Sequence, residues 1–236
     1  MKKRTIASMF FVLLLVFAFY GNLGAETIED ALKKTFPGII FDSVRPTDIK
    51  GLYEIISGYE IIYFVADPGY LIVGDIVSKE GWSVTALRKS ELVAERTKKL
   101  PLDKAIKVGS GKNSIIEFTD PDCTYCRSAS SILGQRKDVT RYIFFFPLPI
   151  HQDAENKIKY IFCAADRVNA YEDAMKGKLD DQKYKKCSNP EAVELLKLHK
   201  EIGQNVGVKG TPFFIVNSKK LVLGAEIPEI EAVLEK

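Results

Sequence analysis

Two cysteines three residues apart are the strongest chemical feature of this sequence. Cys123 and Cys126 lie in the segment TDPDCTYCRSASS, residues 119–131, between an apolar run and a helix-like stretch. At a helix N-terminus, unpaired backbone N–H groups and the helix dipole stabilise an anion, so we expect the first sulfur to ionise near neutral pH. The second sulfur follows one helical turn later, within the distance range that a disulfide accepts. The pair therefore predicts thiol–disulfide exchange, with Cys123 as the attacking nucleophile and Cys126 as the resolving thiol.

Two other roles for this pair compete with exchange chemistry. A single Cys-x-x-Cys is half of a zinc site. The other ligands would have to come from Cys163, Cys187, His151 and His199. Their spacing is not that of a zinc knuckle, and the two histidines suit packing or surface roles. A purely structural bridge inside the pair would close too short a loop to stabilise much. We therefore predict a redox-active pair, with no metal and no cofactor.

The other two cysteines, Cys163 and Cys187, allow a second redox pair or a structural bridge. Neither has a neighbouring thiol, and Cys163 lies in the apolar stretch YIFCAA, an environment that suits an inert bridge. Chain entropy gives a bridge that closes such a loop about 3.5 kcal/mol. These features favour the structural bridge.

The segment GVKGTP, residues 207–212, directly precedes a strand-like run. Proline cannot lie inside a central strand, but it can begin one. A cis Thr211–Pro212 peptide would leave a backbone edge free to pair with an incoming peptide, although most X–Pro bonds are trans.

The N-terminus has the pattern of an exported protein. Residues 1–5 are basic, residues 6–20 are almost wholly apolar, and small residues up to Ala25 offer a cleavage site. This predicts a signal peptide over residues 1–25; the alternative, an uncleaved anchor, is disfavoured because the run is shorter than the roughly 20 residues that span a bilayer. Export to the periplasm would permit disulfides.

Charge argues against a nucleic-acid partner. The whole chain of 236 residues has a net charge of +3, with 34 basic and 31 acidic residues, and it is 46% hydrophobic. Three of the basic residues lie in the predicted signal peptide, so the mature chain is neutral. A neutral chain of this composition suits one or two globular domains without a basic surface for nucleic acid.

Residues 26–87 predict a small domain. A short amphipathic helix is expected over Thr27–Thr35, followed by three strands separated by turn residues. The predicted strands are Leu52–Ile56, Ile61–Ala66 and Tyr70–Val73. About 60 residues give such an antiparallel unit little core of its own, so we expect it to pair with a second copy.

Residues 88–107 predict a linker helix. Ser90 can cap a charged helix over Glu91–Lys99, which Pro101 would stop. Its scarcity of apolar residues favours a solvent-exposed linker over a surface helix of a single domain.

Residues 108–236 predict an α/β domain. Strands are expected at Ser114–Thr119 and Tyr142–Phe146, with a helix over Cys123–Gln135 between them that turns Ala129, Ile132 and Leu133 to one face. Helical segments follow at about 153–176 and 190–204, then strands at Phe213–Val216 and Lys220–Leu223, and a last helix at Pro228–Leu234. This is a thioredoxin-type order with a helical insertion at about 151–204.

Several motifs together resemble a known family. The segment FTDPDCTYC, residues 118–126, and the segment GVKGTP resemble the thioredoxin superfamily. Residues 70–76, 151–156 and 161–164 are similar to the dimeric periplasmic disulfide isomerases of the DsbC/DsbG family. The resemblance spans essentially the whole mature chain.

This resemblance implies a homodimer formed by small cystatin-like α+β domains, with linker helices carrying thioredoxin-like domains. It also implies that Thr211 and cis-Pro212 lie against the Cys123 sulfur, and that Cys163–Cys187 is the structural disulfide. Thr124 and Tyr125 join Thr211 and Pro212 as the residues that would contact a client.

Three features bear on the redox properties. The dipeptide between the cysteines is Thr-Tyr, where isomerases of this type commonly have Gly-Tyr, which leaves oxidising strength open. Asp122, directly before Cys123, should partly oppose thiolate formation. Glu117, six residues before Cys123, resembles the acid that thioredoxins and the monomeric oxidases carry there. Buried under the pair, it could take the proton from Cys126; alternatively its carboxylate reaches the sheet edge.

These features predict a periplasmic disulfide isomerase and reductase that acts on exported, disulfide-containing client proteins. A membrane thiol reductase of the DsbD type would keep the pair reduced. Three alternatives stay open: a thiol oxidase that donates its disulfide, a DsbG-like reductase of single oxidised cysteines, and a dimeric chaperone whose cysteines are incidental.

Overall fold

The computed structural model describes residues 26–182 and 184–235, which fall into two compact units. The first unit contains the residues up to Ile55 together with Ile62–Ile72, and the second contains Ile56–Ile61 and the chain from Val73 onward. The predicted signal peptide lies outside the described residues. Within the described ranges, no helix is long and apolar enough to cross a bilayer. The predicted domain boundaries at residues 87 and 107 differ from these unit boundaries and stay predictions.

The first helix, α1 (Ile28–Thr35), confirms the predicted one. Thr27 caps it by accepting a hydrogen bond from the Asp30 N–H, and the Asp30 carboxylate accepts in return from the Thr27 N–H. This reciprocal capping box satisfies two N–H groups that would otherwise lack partners. Leu32 of α1 is fully buried and packs with Ile55 and Phe64.

A four-stranded sheet accompanies α1, in the order β1-β2-β3-β4. Its strands are β1 (Ser43–Pro46), β2 (Leu52–Ser57), β3 (Glu60–Val65) and β4 (Tyr70–Ile72). The sequence predicted the last three to within a residue at either end and missed β1. The strand β4 pairs antiparallel with β3 and forms one edge of the sheet.

Helix α2 (Val84–Thr97) begins earlier than the sequence indicated. The Ser83 hydroxyl caps it by accepting from the Ala86 N–H, so the prediction that Ser90 is the cap is wrong. Leu92 and Val93 are buried, at 5% and 2% exposure. The charged composition suggested a helix fully exposed to solvent, but these two side chains are buried.

The second unit contains a five-stranded sheet in the order β5-β7-β6-β8-β9. Its strands are β5 (Ile106–Val108), β6 (Asn113–Thr119), β7 (Val139–Phe145), β8 (Phe213–Val216) and β9 (Lys220–Leu223). The central strand β6 runs parallel to β7 and antiparallel to β8. The short edge strand β5 was not predicted, whereas β8 and β9 have the predicted bounds.

Five helices complete this unit: α3 (Thr124–Leu133), α4 (Ala154–Cys163), α5 (Arg167–Met175), α6 (Pro190–Val206) and α7 (Ile227–Leu234). Helices α4–α6 form the predicted insertion between β7 and β8. One face of the sheet packs against residues of α3, α4 and α5, and the other packs against the C-terminal half of α6. On α3, Ala129 and Leu133 are buried as expected, but Ile132 is 40% exposed.

Candidate active site

The active-site segment connects the end of β6 to α3, and Cys123 is the N-cap residue of that helix. Asp120, just beyond the last residue of β6, shapes the turn. Its backbone oxygen accepts from the Cys123 N–H at 3.1 Å, and its carboxylate accepts from the Asp122 N–H at 2.8 Å. These two hydrogen bonds fix the turn and hold Cys123 at the start of α3.

Both cysteines of the pair are reduced thiols in this structure. Cys126 has no exposed surface, whereas Cys123 retains 5%. The residues between them, Thr124 and Tyr125, are exposed, Tyr125 by 68%. Of the two cysteines, only Cys123 therefore has surface that an incoming sulfur can reach.

The pKa values of the two thiols are shifted in opposite directions. The pKa of Cys123 is lowered to about 6, first because the Cys126 thiol donates a hydrogen bond to its sulfur. Burial opposes this shift, while the N–H groups of Cys126 and Tyr125 and the side chain of Thr211 support it. Burial raises the pKa of Cys126 far above its ordinary range, and the bond to Cys123 adds to this. At neutral pH, Cys123 is the thiolate and Cys126 the proton-bearing thiol.

The segment before β8 lies beside the nucleophile. In its protonated form, the Cys123 thiol donates to the backbone oxygen of Thr211, with Sγ and O 3.5 Å apart. The Thr211–Pro212 peptide is cis, and Pro212 is buried. The hydroxyls of Thr119 and Thr211 are buried without a hydrogen-bond partner of ordinary geometry among the described residues. Both hydroxyls act to lower the pKa of Cys126, the opposite direction to burial.

Glu117 lies on the central strand with no exposed surface. The alternative that its carboxylate reaches the sheet edge is therefore wrong. Its Oε2 accepts from Nε and Nη2 of Arg141, at 3.1 and 2.6 Å. Arg141 Nη2 also reaches the hydroxyl oxygens of Tyr171, at 2.8 Å, and Ser130, at 3.3 Å. Glu117 Oε1 is buried and has no hydrogen-bond partner within the described chain.

Family comparisons agree with this geometry. Residues 22–86 match the family described as "Disulfide bond isomerase protein N-terminal domain", and residues 100–236 match "Thioredoxin-like domain". The "Probable thiol:disulfide interchange protein DsbC" of Bordetella avium is 31% identical over 204 residues, which are 82% of this chain and 70% of the relative.

This chain belongs to the DsbC family.

Other relatives extend the match. The "Thiol:disulfide interchange protein DsbC" of Escherichia coli K12 is 25% identical over 228 residues, 94% of this chain and 91% of that protein. Among solved structures, a disulfide interchange protein from Neisseria gonorrhoeae is 29% identical and has a TM-score of 0.49, covering 58% of this chain and 96% of its own. The two family matches and the Bordetella avium relative confirm the predicted family and the thioredoxin-like fold with its N-terminal DsbC domain.

This DsbC-family chain contains a disulfide between Cys163 and Cys187. Cys163 is the last residue of α4 and Cys187 lies before α6, so the bridge ties two helices of the insertion. The expectation that Cys163 has an apolar environment is wrong, because this residue is exposed. Helix α4 buries its apolar face one turn earlier, at Ile158, Ile161 and Phe162.

Asp122, which the sequence predicted to oppose thiolate formation, has two cationic partners in the fold. Its Oδ1 contacts Lys157 Nζ and Arg127 Nη2, and both cations also contact Asp180. Sequence reasoning missed these partners. Lys157 carried one usable signal, since it occupies the buried face of α4 between Ala154 and Ile158.

The two histidines differ in their surroundings. His151 Nδ1 lies 2.7 Å from Asp120 Oδ2, and that carboxylate also accepts from the Leu148 N–H at 2.7 Å. His199 is fully buried, where its Nδ1 accepts from the Phe145 N–H at 3.0 Å and its Nε2 lies 2.9 Å from the Lys104 backbone oxygen. The sequence predicted packing or surface roles for the two histidines; His199 is packed in the core, and His151 contacts the active-site turn.

Proposed function

We propose that this chain is a thiol–disulfide oxidoreductase that acts mainly as a protein disulfide isomerase and reductase. The observation that supports it most is the opposite ionisation of the two thiols, with the pKa of Cys123 lowered to about 6 and that of buried Cys126 raised. An isomerase needs one thiolate that attacks the client and a second thiol that does not react until the first has formed a mixed disulfide.

The proposed reaction begins with the Cys123 thiolate. It attacks one sulfur of a client disulfide, so that a Cys123–client bond forms, the client S–S bond breaks, and the other client sulfur leaves as a thiolate. If another client thiolate attacks the mixed disulfide, a new client disulfide forms and the Cys123 thiolate returns, with no net redox change. If Cys126 loses its proton and attacks Cys123, the client leaves reduced and a Cys123–Cys126 disulfide remains.

Client contact is proposed for four residues around the nucleophile. The exposed side chains of Thr124 and Tyr125, which directly follow Cys123, offer hydrogen-bonding and aromatic surface. The backbone of Thr211, next to Cys123 and before Pro212, offers an edge on which an extended client segment can pair. Aligning the client in this way would bring its disulfide to Cys123.

For Glu117 we propose a role in the resolving step. Its Oε1 is buried and without a partner in the described part of the chain, so it can accept the proton of Cys126, directly or through a water molecule. Its Oε2 is held by Arg141 and keeps the carboxylate in place.

Dimerisation, location and electron supply complete the proposal. The edge strand β4 exposes Tyr70 and Ile72, by 63% and 46%, and suits pairing with a second copy through the N-terminal domain. We propose a periplasmic homodimer, exported by the signal peptide of residues 1–25. A membrane thiol reductase of the DsbD type would supply the two electrons that reopen a Cys123–Cys126 disulfide.

Recovery of scrambled ribonuclease, combined with the reduction potential, tests this function. We expect catalysed recovery with catalytic amounts of reduced protein and none with Cys123→Ala. Strong oxidation of reduced clients without recovery would favour the oxidase, for which the buried Glu117 is the supporting feature. Full activity of Cys123→Ala against cysteine-containing clients would favour the chaperone. Selective reduction of single oxidised cysteines would favour the DsbG-like reductase.

A further inference from the structure

Four charged side chains form a cluster at the active-site turn, contributed by four parts of the second unit. Asp122 directly precedes Cys123, Arg127 lies on α3, Lys157 lies on α4, and Asp180 follows α5. We name these four residues the charge ring. It is electrically balanced, with two carboxylates and two cations.

Each cation of the charge ring touches both carboxylates. Arg127 holds Asp180 with two hydrogen bonds, of 2.8 and 2.7 Å, and reaches Asp122 at 3.3 Å. Lys157 Nζ donates to Asp122 Oδ1 and, at 2.6 Å, to Asp180 Oδ1. A two-point guanidinium contact fixes geometry as well as charge.

The charge ring is partly buried, so an imbalance among its charges would be poorly screened by water. The Lys157 side chain is 5% exposed and that of Asp122 is 16% exposed, so water screens their charges poorly. Burial alone would lower the pKa of Lys157, but its bonds to Asp122 and Asp180 outweigh this and leave the pKa raised. The pKa of Asp180 is lowered, first by its bond to Arg127. Arg127, Lys157 and Asp180 therefore stay charged around neutral pH.

The charge ring also holds the backbone of the active-site turn. Arg127 Nε donates to the Pro121 backbone oxygen at 2.6 Å, and Asp122 is the next residue. Lys157 and Asp180 belong to the helical insertion, 35 residues after Asp122 and 53 after Arg127. The insertion thus reaches the turn that carries Cys123 and supplies one charge of each sign.

We propose that Lys157 and Asp180 are positioning residues through which the helical insertion sets the net charge next to Cys123, and hence how readily that thiol ionises. This deepens the proposed function, on which its relevance to exchange rests. Asp122 alone would repel a neighbouring thiolate. Lys157 and Arg127 cancel that repulsion, and Asp180 prevents the two cations from overcompensating. Near this turn, Asp120 also contacts His151, and Glu117 contacts Arg141.

The proposal predicts shifts of opposite sign from two variants. Lys157→Met leaves the ring with one excess negative charge, so the Cys123 thiolate becomes less stable. Asp180→Asn keeps an acceptor for Arg127 and leaves one excess positive charge, so the thiolate becomes more stable. At about pH 5, below the pKa, alkylation should slow by about three- to tenfold in Lys157→Met and accelerate by about threefold in Asp180→Asn.

The experiment is iodoacetamide alkylation of the reduced full-length protein across pH, with the modified cysteine identified by peptide mass. Lys159→Met, on the same helix but outside the ring, is the matched control and should match the wild type. Adding Asp122→Asn to Lys157→Met should restore the wild-type profile, because no unbalanced carboxylate then remains. If Lys157→Met does not fold, Asp180→Asn tests the proposal alone, through its predicted faster alkylation.

Shifts of the same sign in Lys157→Met and Asp180→Asn, or no shift in either, would overturn the proposal, since a purely structural role predicts no sign reversal. Failure of the double variant to recover would also contradict it. Because alkylation reports only ionisation of Cys123, these outcomes are independent of the ribonuclease assay that tests the proposed function.

Discussion

The Cys123 thiol donates a hydrogen bond to the backbone oxygen of Thr211, 3.5 Å away, although the two residues are 88 positions apart in the sequence. This contact brings the nucleophile of α3 against the segment that leads into β8. A client segment that pairs with this backbone would present its disulfide to the sulfur. Proximity of this kind converts an encounter between two proteins into an oriented reaction.

The resolving thiol is expected to control the nucleophile. The bond from Cys126 is the largest cause of the lowered pKa of Cys123, so Cys126→Ala should raise that pKa toward its ordinary value. Cys126→Ser keeps a hydroxyl donor and should raise it less. Titration of each variant by pH-dependent alkylation measures the difference. Identical profiles for both variants and the wild type would mean that the helix terminus alone stabilises the thiolate.

The buried Glu117–Arg141 pair is expected to stabilise the domain. Glu117→Gln leaves a buried guanidinium without its counter-ion and should destabilise the protein by about 3–5 kcal/mol. The double variant Glu117→Gln, Arg141→Met should recover most of this loss, as measured by urea unfolding.

The same double variant separates stability from proton transfer. If Glu117 takes the proton of Cys126, the double variant should release a preformed mixed disulfide about tenfold to a hundredfold more slowly than the wild type. Wild-type release rates in the refolded double variant would exclude the proton-transfer role and leave the pair purely structural.

Buried His199 is expected to make stability depend on pH. Burial lowers the pKa of His199 to about 4, whereas an unfolded histidine has a pKa of about 6.5. Between these values the unfolded chain binds a proton that the folded chain does not, so stability falls as pH falls through this window and levels off below about 4. The integrated loss is about 3 kcal/mol.

Urea unfolding at a series of pH values checks this. The His199→Gln variant should lose this component of the pH dependence, even though it is less stable at neutral pH. An unchanged slope in the variant would assign the acid sensitivity to other groups.

The disulfide between Cys163 and Cys187 is expected to act on stability alone. Removing it as Cys163→Ala, Cys187→Ala should cost about 3.5 kcal/mol through the freedom that the unfolded chain regains. Exchange by Cys123, measured per folded molecule, should stay close to wild type. A large loss of exchange activity in the folded variant would instead indicate a second redox pair.

The sequence predicted those elements whose own residues decide them. The run FFIV, followed by a turn at Asn217 and Ser218, defines β8 and β9 because continuous apolar residues and a turn are local properties. The strands β1 and β5 were missed because SVRP and IKV are short, include a charged residue each, and lack the continuous apolar run of β8. Helix α2 was started too late because Ser83 and Ser90 can both cap a helix, and only tertiary packing decides between them.

The candidate site divides in the same way. The two thiols and Pro212 are recognisable from spacing and motif. The partners that set their properties are not, because Arg141, Lys157 and Asp180 approach the site only once β7 and the insertion have folded against α3. Asp122 shows the consequence: as a sequence feature it opposes the thiolate, and in the folded chain its charge is balanced.

The most direct test of the central claim is the pH dependence of alkylation of the reduced wild-type protein, with modification located by peptide mass. A nucleophilic thiolate at Cys123 predicts a half-maximal rate near pH 6, in accord with its lowered pKa of about 6, while Cys126 stays unmodified in the folded state. A half-maximal rate at the ordinary thiol value of about 8.5, or modification of Cys126 before Cys123, would contradict the account.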